Sequence, residues 1–171
     1  MDDRRRRFEA QALPHLDAAY NLARWLSRSP ADADDIVQDA MLRAFRAFDG
    51  FRGGDIKAWL LTIVRNCSRN VGSDTKRRGH TPLPEEDANP LVSPDASPEM
   101  LAMRASESRK LDEAIALLPN EFREVLILRE IEDMSYREIA EVTGVPIGTV
   151  MSRLARARAM LKEKWMQEAR T

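Results

Sequence analysis

Guanidinium forks set among short hydroxyls on one face of a helix can grip phosphate oxygens and the acceptor edge of guanine. The stretch SYREIAEVTGVPIGTVMSRLARARAML, Ser135 to Leu161, arranges such groups. At about 100° per residue, Val150, Leu154, Ala157 and Leu161 fall in a narrow apolar stripe that reads as a core side. Thr149, Ser152 and Arg156 lie opposite it, with Met151 and Arg153 on the flanks. The chemistry this face offers is contact with duplex DNA through the major groove. A solvated arginine face on a core helix is the plainer alternative.

The residues upstream of that helix decide between the two. Ser135 and Glu138 have the spacing of a capping box, and Met134 and Ile139 that of a hydrophobic staple, so a helix start is specified there. Gly144 fits its end. Ala140, Gly144 and Val150 then have the spacing of a helix-turn-helix, in which a small residue permits a close crossing, a glycine the turn and an aliphatic side chain the anchor. Cap, turn and face agree, which favours DNA.

Two further clusters lie in the first half. Asp35, Gln38 and Asp39 stand at i, i+3 and i+4 and share a helix face. Phe51, Arg52, Asn66, Arg69 and Asn70 gather aromatic, cationic and amide groups around a glycine-bearing loop, Gly53 and Gly54, and the helix after it. Such a mixture suits unpaired bases, which stack on flat side chains and hydrogen-bond along their edges. Trp25 and Trp59 fall on apolar stripes and belong in the core. No nucleophile has a base near it and no cluster has metal-ligand spacing, so neither an enzyme nor a cofactor or metal site is expected. The single cysteine, Cys67, lies between Arg65 and Arg69, which favour thiolate, but a small residue on a helix is the simpler account.

These clusters must be positioned by helices. Apolar residues make up 43 % of the chain and charged ones 32 %, with seven glycines, a helix-biased globular composition. No apolar run approaches the ~18 residues of a membrane span, and the start MDDRRRRFEA lacks the apolar middle of a secretory signal, so a cytoplasmic location without membrane insertion is expected. The net charge of −1 is unevenly spread. Five Lys/Arg oppose ten Asp/Glu over residues 107–144, whereas six oppose two over 145–171, which makes the last helix the basic block.

Three helices are readable in the first half. The first runs from about Pro14 to Ser27 with Leu16, Ala19, Tyr20, Ala23 and Leu26 on one side. The second opens at Ser29-Pro30 with Asp32 in its first turn, and Ile36, Ala40, Leu42, Ala44, Phe45 and Phe48 form its apolar side. The third starts after Asp55, with Ile56, Trp59, Leu60, Ile63 and Val64 inward. Residues 72–106 hold five prolines without a sustained apolar period and read as a flexible linker. Beyond it, Leu111, Ala114, Ile115 and Leu118 mark one helix, and Phe122, Val125, Leu126 and Ile131 the next. An all-α fold of two small helical domains, 8–71 and 107–171, is the expectation.

The phrases DADDIVQDAMLRAFRAF, FRGGDIKAWLLTIVRN and ALLPNEFREVLILREIEDMSYREIAEVTGVPIGTVMSRLARARAML, in this order, resemble an extracytoplasmic-function sigma factor of bacterial RNA polymerase. The resemblance implies a helical-bundle region 2 and a helix-turn-helix region 4, and a promoter-specificity subunit rather than an enzyme. It implies that Asp35, Gln38 and Asp39 dock on the β′ clamp helices of core polymerase, with the β flap a further contact. Phe51, Arg52, Gly53, Gly54, Asn66, Arg69 and Asn70 then melt and hold the start-proximal promoter element as single-stranded DNA. Thr149, Met151, Ser152, Arg153 and Arg156 read the upstream element as duplex. Met151 departs from the arginine that many relatives carry; its thioether can touch a thymine methyl but cannot fork onto guanine. An anti-sigma factor is an implied partner; no small-molecule substrate is.

Two rival readings remain open at this stage. One is a regulator whose front half senses a ligand, which should bind duplex DNA tightly without polymerase. The other is an interaction module whose arginine helix holds an acidic protein.

Overall fold

The structure, a computed structural model, describes residues 2–27, 29–78 and 97–170, with the backbone alone for 71–78. Its regular elements are helices: α1 (Asp2–Ala12), α2 (Leu16–Leu26), α3 (Pro30–Ala47), α4 (Ile56–Arg78), α5 (Pro98–Ala116), α6 (Asn120–Glu130), α7 (Tyr136–Thr143) and α8 (Ile147–Ala169). Short 3-10 turns at Leu13–His15 and Phe48–Gly50 join α1 to α2 and end α3.

The expected helix starts are formed by the expected groups. The Ser29 hydroxyl accepts from the Asp32 amide at 3.1 Å, with Pro30 in the first turn of α3. The Asp55 carboxylate accepts from the amides of Lys57 at 3.0 Å and Ala58 at 3.4 Å, which opens α4. Ser135 and Glu138 close a complete capping box on α7, and Gly144 ends that helix at φ 71°, a left-handed turn that costs a Cβ-free residue little.

Several expectations are corrected. The first half has four helices rather than three, because α1 packs Phe8 and Ala12 inward although its surface is nearly all charged. In α2 the buried set is Ala19, Leu22 and Ala23, while Leu16 reaches the rim at the helix start. Leu42 is 57 % exposed: the buried face of α3 is Ala33, Ile36, Val37, Ala40 and Ala44, and Leu42 lies roughly opposite their mean direction. Leu111 and Ile131 are also exposed. The residues read as a linker begin and end in helix, since α4 continues to Arg78 and Ser97 caps α5 by accepting from the Met100 amide at 3.2 Å. The middle of that segment, 79–96, lies outside the described residues.

The two halves are packed together. α2, α3 and α4 form one bundle, and α6, α7 and α8 another; α4 also lies against α7, and α2 against α6. One apolar cluster runs through both, from Phe8 and Leu60 to Ile139 and Leu154. α6 is therefore enclosed on several sides, and five consecutive residues, Glu124 to Leu128, are buried where a one-sided helix would alternate. Glu124 meets Arg65 of α4 there in a two-pronged pair, Nε at 2.7 Å and Nη2 at 3.0 Å, both side chains less than a tenth exposed. At the rim, the Lys57 ammonium donates to the Glu132 carbonyl at 2.9 Å and pairs with its carboxylate at 3.4 Å.

Removing one partner of a buried pair strands the other charge in a dry setting. Glu124→Leu should lower the stability of the chain by roughly 3–5 kcal/mol in urea denaturation, and adding Arg65→Met should restore most of the loss. Equal midpoints for Glu124→Leu and the parent chain would mean the pair is solvated.

Candidate nucleic-acid interface

α8 presents the sequence-expected face. Val150, Leu154 and Ala157 are buried, whereas Met151, Ser152 and Arg156 are exposed and Thr149 and Arg153 half-buried. α6 positions both arginines. Arg153 is drawn to Glu121 at 3.7 Å, and the Arg156 guanidinium lies 5.7 Å from the centre of the Phe122 ring. The Ser152 hydroxyl donates to the Thr149 carbonyl at 3.0 Å, leaving its lone pairs outward. Pro146 precedes α8 without a side-chain cap, and its carbonyl takes the Thr149 and Val150 amides, so the Ile147 and Gly148 amides and the positive end of the helix dipole add to the basic face.

The second surface begins where α3 stops. The Phe51 amide bonds to the Phe48 carbonyl at 3.0 Å, and Gly53 and Gly54 take φ of 88° and 99°, conformations that turn the chain sharply into the Asp55 cap. Phe51 leans on Trp59 of α4, ring centres 5.0 Å apart and tilted by 42°. Trp59 is thus half-buried as the support of Phe51 rather than sealed in the core. One face of α4 continues from Trp59 to Asn66 and Asn70, seven and eleven residues on, and Asn66, Arg69 and Asn70 are exposed along it. The structure so joins the loop and the helix into one aromatic, amide and cationic strip.

Behind the loop, burial presses the Asp55 carboxyl upward, but bonding to neighbouring groups, the Ala58 and Lys57 amides among them, outweighs it and holds the group below its usual range.

The third surface is acidic. Asp35 and Gln38 are exposed on α3, and Asp39 beside them accepts from Arg43 Nε at 3.2 Å. Helical geometry places Leu42 in the middle of this arc, among Asp35, Gln38 and Asp39, which explains its exposure. A helical-wheel count could have found it; the apolar character of leucine argued it inward instead. Arg65, Glu124, Lys57 and Glu132 were also missed, because pairs far apart in the chain leave no local signal. Among the described residues, no three potential ligands converge on a metal position, and no helix is long and apolar enough to cross a membrane.

Residues 13–78 match the family model for Sigma-70 region 2, and residues 108–161 that for Sigma-70, region 4. The chain is 34 % identical over 151 residues to the ECF RNA polymerase sigma factor SigE of Mycolicibacterium smegmatis, covering 87 % of this chain and 58 % of that protein. It thus spans less than two thirds of that relative. It is 32 % identical over 157 residues to the ECF RNA polymerase sigma-E factor of Haemophilus influenzae, covering 84 % and 78 % of the two chains. Among solved structures, the sigma factor RpoE in complex with the anti-sigma factor NepR, from Bartonella quintana, superposes with a TM-score of 0.74 at 29 % identity over 93 % of this chain and 96 % of that one. CnrH in complex with the cytosolic domain of CnrY gives 0.69 at 27 % over 98 % and 91 %.

Cys67 supports the acidic face from within. It is fully buried, and burial together with the Asp39 carboxylate pushes its thiol up to about 11, against the opposing pull of Arg43. Arg65 does not activate it, being committed to Glu124. The folded chain should leave an aromatic disulfide reagent unreacted at pH 8 and release one thiol equivalent in urea; fast reaction of the folded chain would mean that α3 and α4 open readily.

Proposed function

The chain belongs to the extracytoplasmic-function group of sigma-70 factors, and from that premise we propose that it is a promoter-specificity subunit whose three surfaces divide the work of starting transcription. Asp35, Gln38 and Asp39, with Leu42 at their centre, dock on core polymerase. Charge supplies orientation at such a face, and an exposed leucine supplies area that water gives up on docking. Thr149, Met151, Ser152, Arg153 and Arg156 face duplex DNA of the upstream element. Phe51, Arg52, Gly53, Gly54, Asn66, Arg69 and Asn70 hold unpaired bases of the start-proximal element, which offsets the few kcal/mol that unstacking a base costs. The chain acts by binding in the cytoplasm and has no reaction of its own. Residues 8–71 and 107–171 serve as the two adaptors, with the chain between them as the tether.

The observation that carries this proposal is the separation of chemistries: an acidic face with one leucine on α3, an aromatic and amide strip on the loop and α4, and a basic face on α8. A ligand sensor has no need of the first two. One neighbour of known structure was solved with the anti-sigma factor NepR, and another, CnrH, with the cytosolic domain of CnrY. An inhibitor of that kind is the natural partner here, acting on the surfaces that polymerase requires.

Run-off transcription with core polymerase on genomic fragments should show start sites that appear only when the chain is added. Gln38→Ala, at an exposed position, should weaken core binding about ten-fold while leaving the urea midpoint unchanged. Undiminished core affinity would remove the α3 face from the account. On α8, Arg156→Ala should reduce the slope of log affinity against log salt by about one if the guanidinium meets a phosphate. A loss confined to guanine-bearing sites at one position would assign it to base reading instead.

A further inference from the structure

The residues matched by the region 2 family model begin at 13, so α1 stands outside them, yet α1 is fixed to the last turn of α3 and the 3-10 turn that follows it. The Arg4 guanidinium donates to the Phe45 carbonyl at 2.6 Å, pairs with Asp49 at 2.9 Å and lies 4.5 Å from the centre of the Phe45 ring. Phe8 is wedged edge-on between Phe45 and Phe48, with ring centres 5.3 Å and 5.4 Å away. A helix held at two successive turns cannot slide along its neighbour. Its next positions on the same side, Arg7 and Gln11, therefore have fixed locations.

Those two residues form one wall of a recess of about 270 Å³, open to solvent, whose other wall is Phe48, Asp49, Phe51 and Gly53. The lining combines an aromatic ring for stacking, a cation for phosphate, a carboxamide that both donates and accepts, and a carboxylate that only accepts. Arg7 is more than half exposed and engaged only loosely, 3.6 Å from Asp3 one turn back, a contact that a phosphate would displace at little cost. Asp49 keeps acceptor sites beyond the one that Arg4 uses.

We propose that α1 is a reading element for the melted strand: one unpaired nucleotide enters this recess with its phosphate at Arg7, its base edge on Gln11 and Asp49, and its face toward Phe51. An acceptor-only carboxylate favours bases that carry an exocyclic amine, so adenine, cytosine or guanine fits here better than thymine. The proposal rests on the assignment of the loop to single-stranded DNA and extends it to Arg7 and Gln11.

The test uses the full chain with core polymerase on a promoter recovered by run-off mapping. A photoreactive benzoylphenylalanine in place of Gln11 should crosslink to one DNA strand, in or beside the melted stretch, under conditions that form open complexes. Arg7→Ala with Gln11→Ala should shorten the open-complex lifetime by about ten-fold or more, with core affinity and thermal midpoint unchanged, and thymine at the crosslinked position should do the same in the parent chain. Absence of a crosslink, together with an unchanged lifetime in the double variant, overturns the proposal. If Phe51→Ala and Asn66→Ala still destabilise the open complex in that case, the loop assignment survives and the recess is a water-filled cleft. If those two are silent as well, the loop assignment itself falls.

Discussion

A guanidinium sealed between two helical bodies constrains everything around it. Arg65 belongs to α4, the helix that carries the strip of Asn66, Arg69 and Asn70 outward, and its counter-charge, Glu124, comes from α6, the helix that steadies Arg153 and Arg156. Neither ion can stay in that dry junction alone, so the halves of this chain pack in one register or come apart. The attraction within such a pair roughly balances the cost of dehydrating it, whereas a mismatched contact pays the dehydration without the attraction. The pair therefore specifies the closed arrangement more than it strengthens it. Separation returns both ions to water, so opening gives up the pair without stranding either charge.

That distinction bears on how a closed sigma factor could reach two promoter elements. In the packed arrangement Asp35 and Gln38, the loop residues Arg52, Gly53 and Gly54, the α4 residues Asn66, Arg69 and Asn70, and Met151, Ser152 and Arg156 on α8 all remain exposed. Packing hides the pairing faces of the halves and leaves the candidate contacts outward. Opening then changes the distance between two finished surfaces and has no need to uncover either. Each surface is also braced locally: Phe51 against Trp59, Arg156 over Phe122, Asp39 held by Arg43. Such bracing keeps each side chain close to its working geometry when the halves part.

Local signals in the chain were sound wherever one residue answers a neighbour within a turn or two. Ser29, Asp55, the Ser135 and Glu138 box and Gly144 each start or stop a helix by satisfying backbone groups a few positions away, so their spacing alone announced them. The stripe of Val150, Leu154 and Ala157 was legible for the same reason. α1 escaped because the charges of RRRR dominate its composition, while its two buried residues, Phe8 and Ala12, are too few to reveal a period. α6 was half-read because a helix enclosed on several sides has no polar face to mark its phase. Leu42 was turned inward on residue type, although its angle placed it among Asp35, Gln38 and Asp39. The pairing of Arg65 with Glu124 depends on how two halves meet, which no local pattern records.

Magnitudes decide between a self-sufficient DNA-binding regulator and a subunit that needs polymerase. A good bidentate base contact contributes ~1–3 kcal/mol, and α8 offers two arginines for that role, one already shared with Glu121 and the other leaning on Phe122. Even both at full strength leave the helix well short of the ~11 kcal/mol that a dissociation constant near 10 nM requires. Nearby phosphate contacts narrow the gap but fade with salt and carry no sequence information. On the proposed assignment the loop and α4 cannot close it either, because unpaired bases do not exist until the duplex is melted. Only a scaffold that holds both halves on one DNA molecule turns the second engagement into an intramolecular step, raising the effective concentration to about the millimolar range. Under the proposed function, the modest surfaces on each half and the acidic face on α3 are thus parts of one solution: affinity is supplied by the machine, and selectivity by the few side chains this chain contributes.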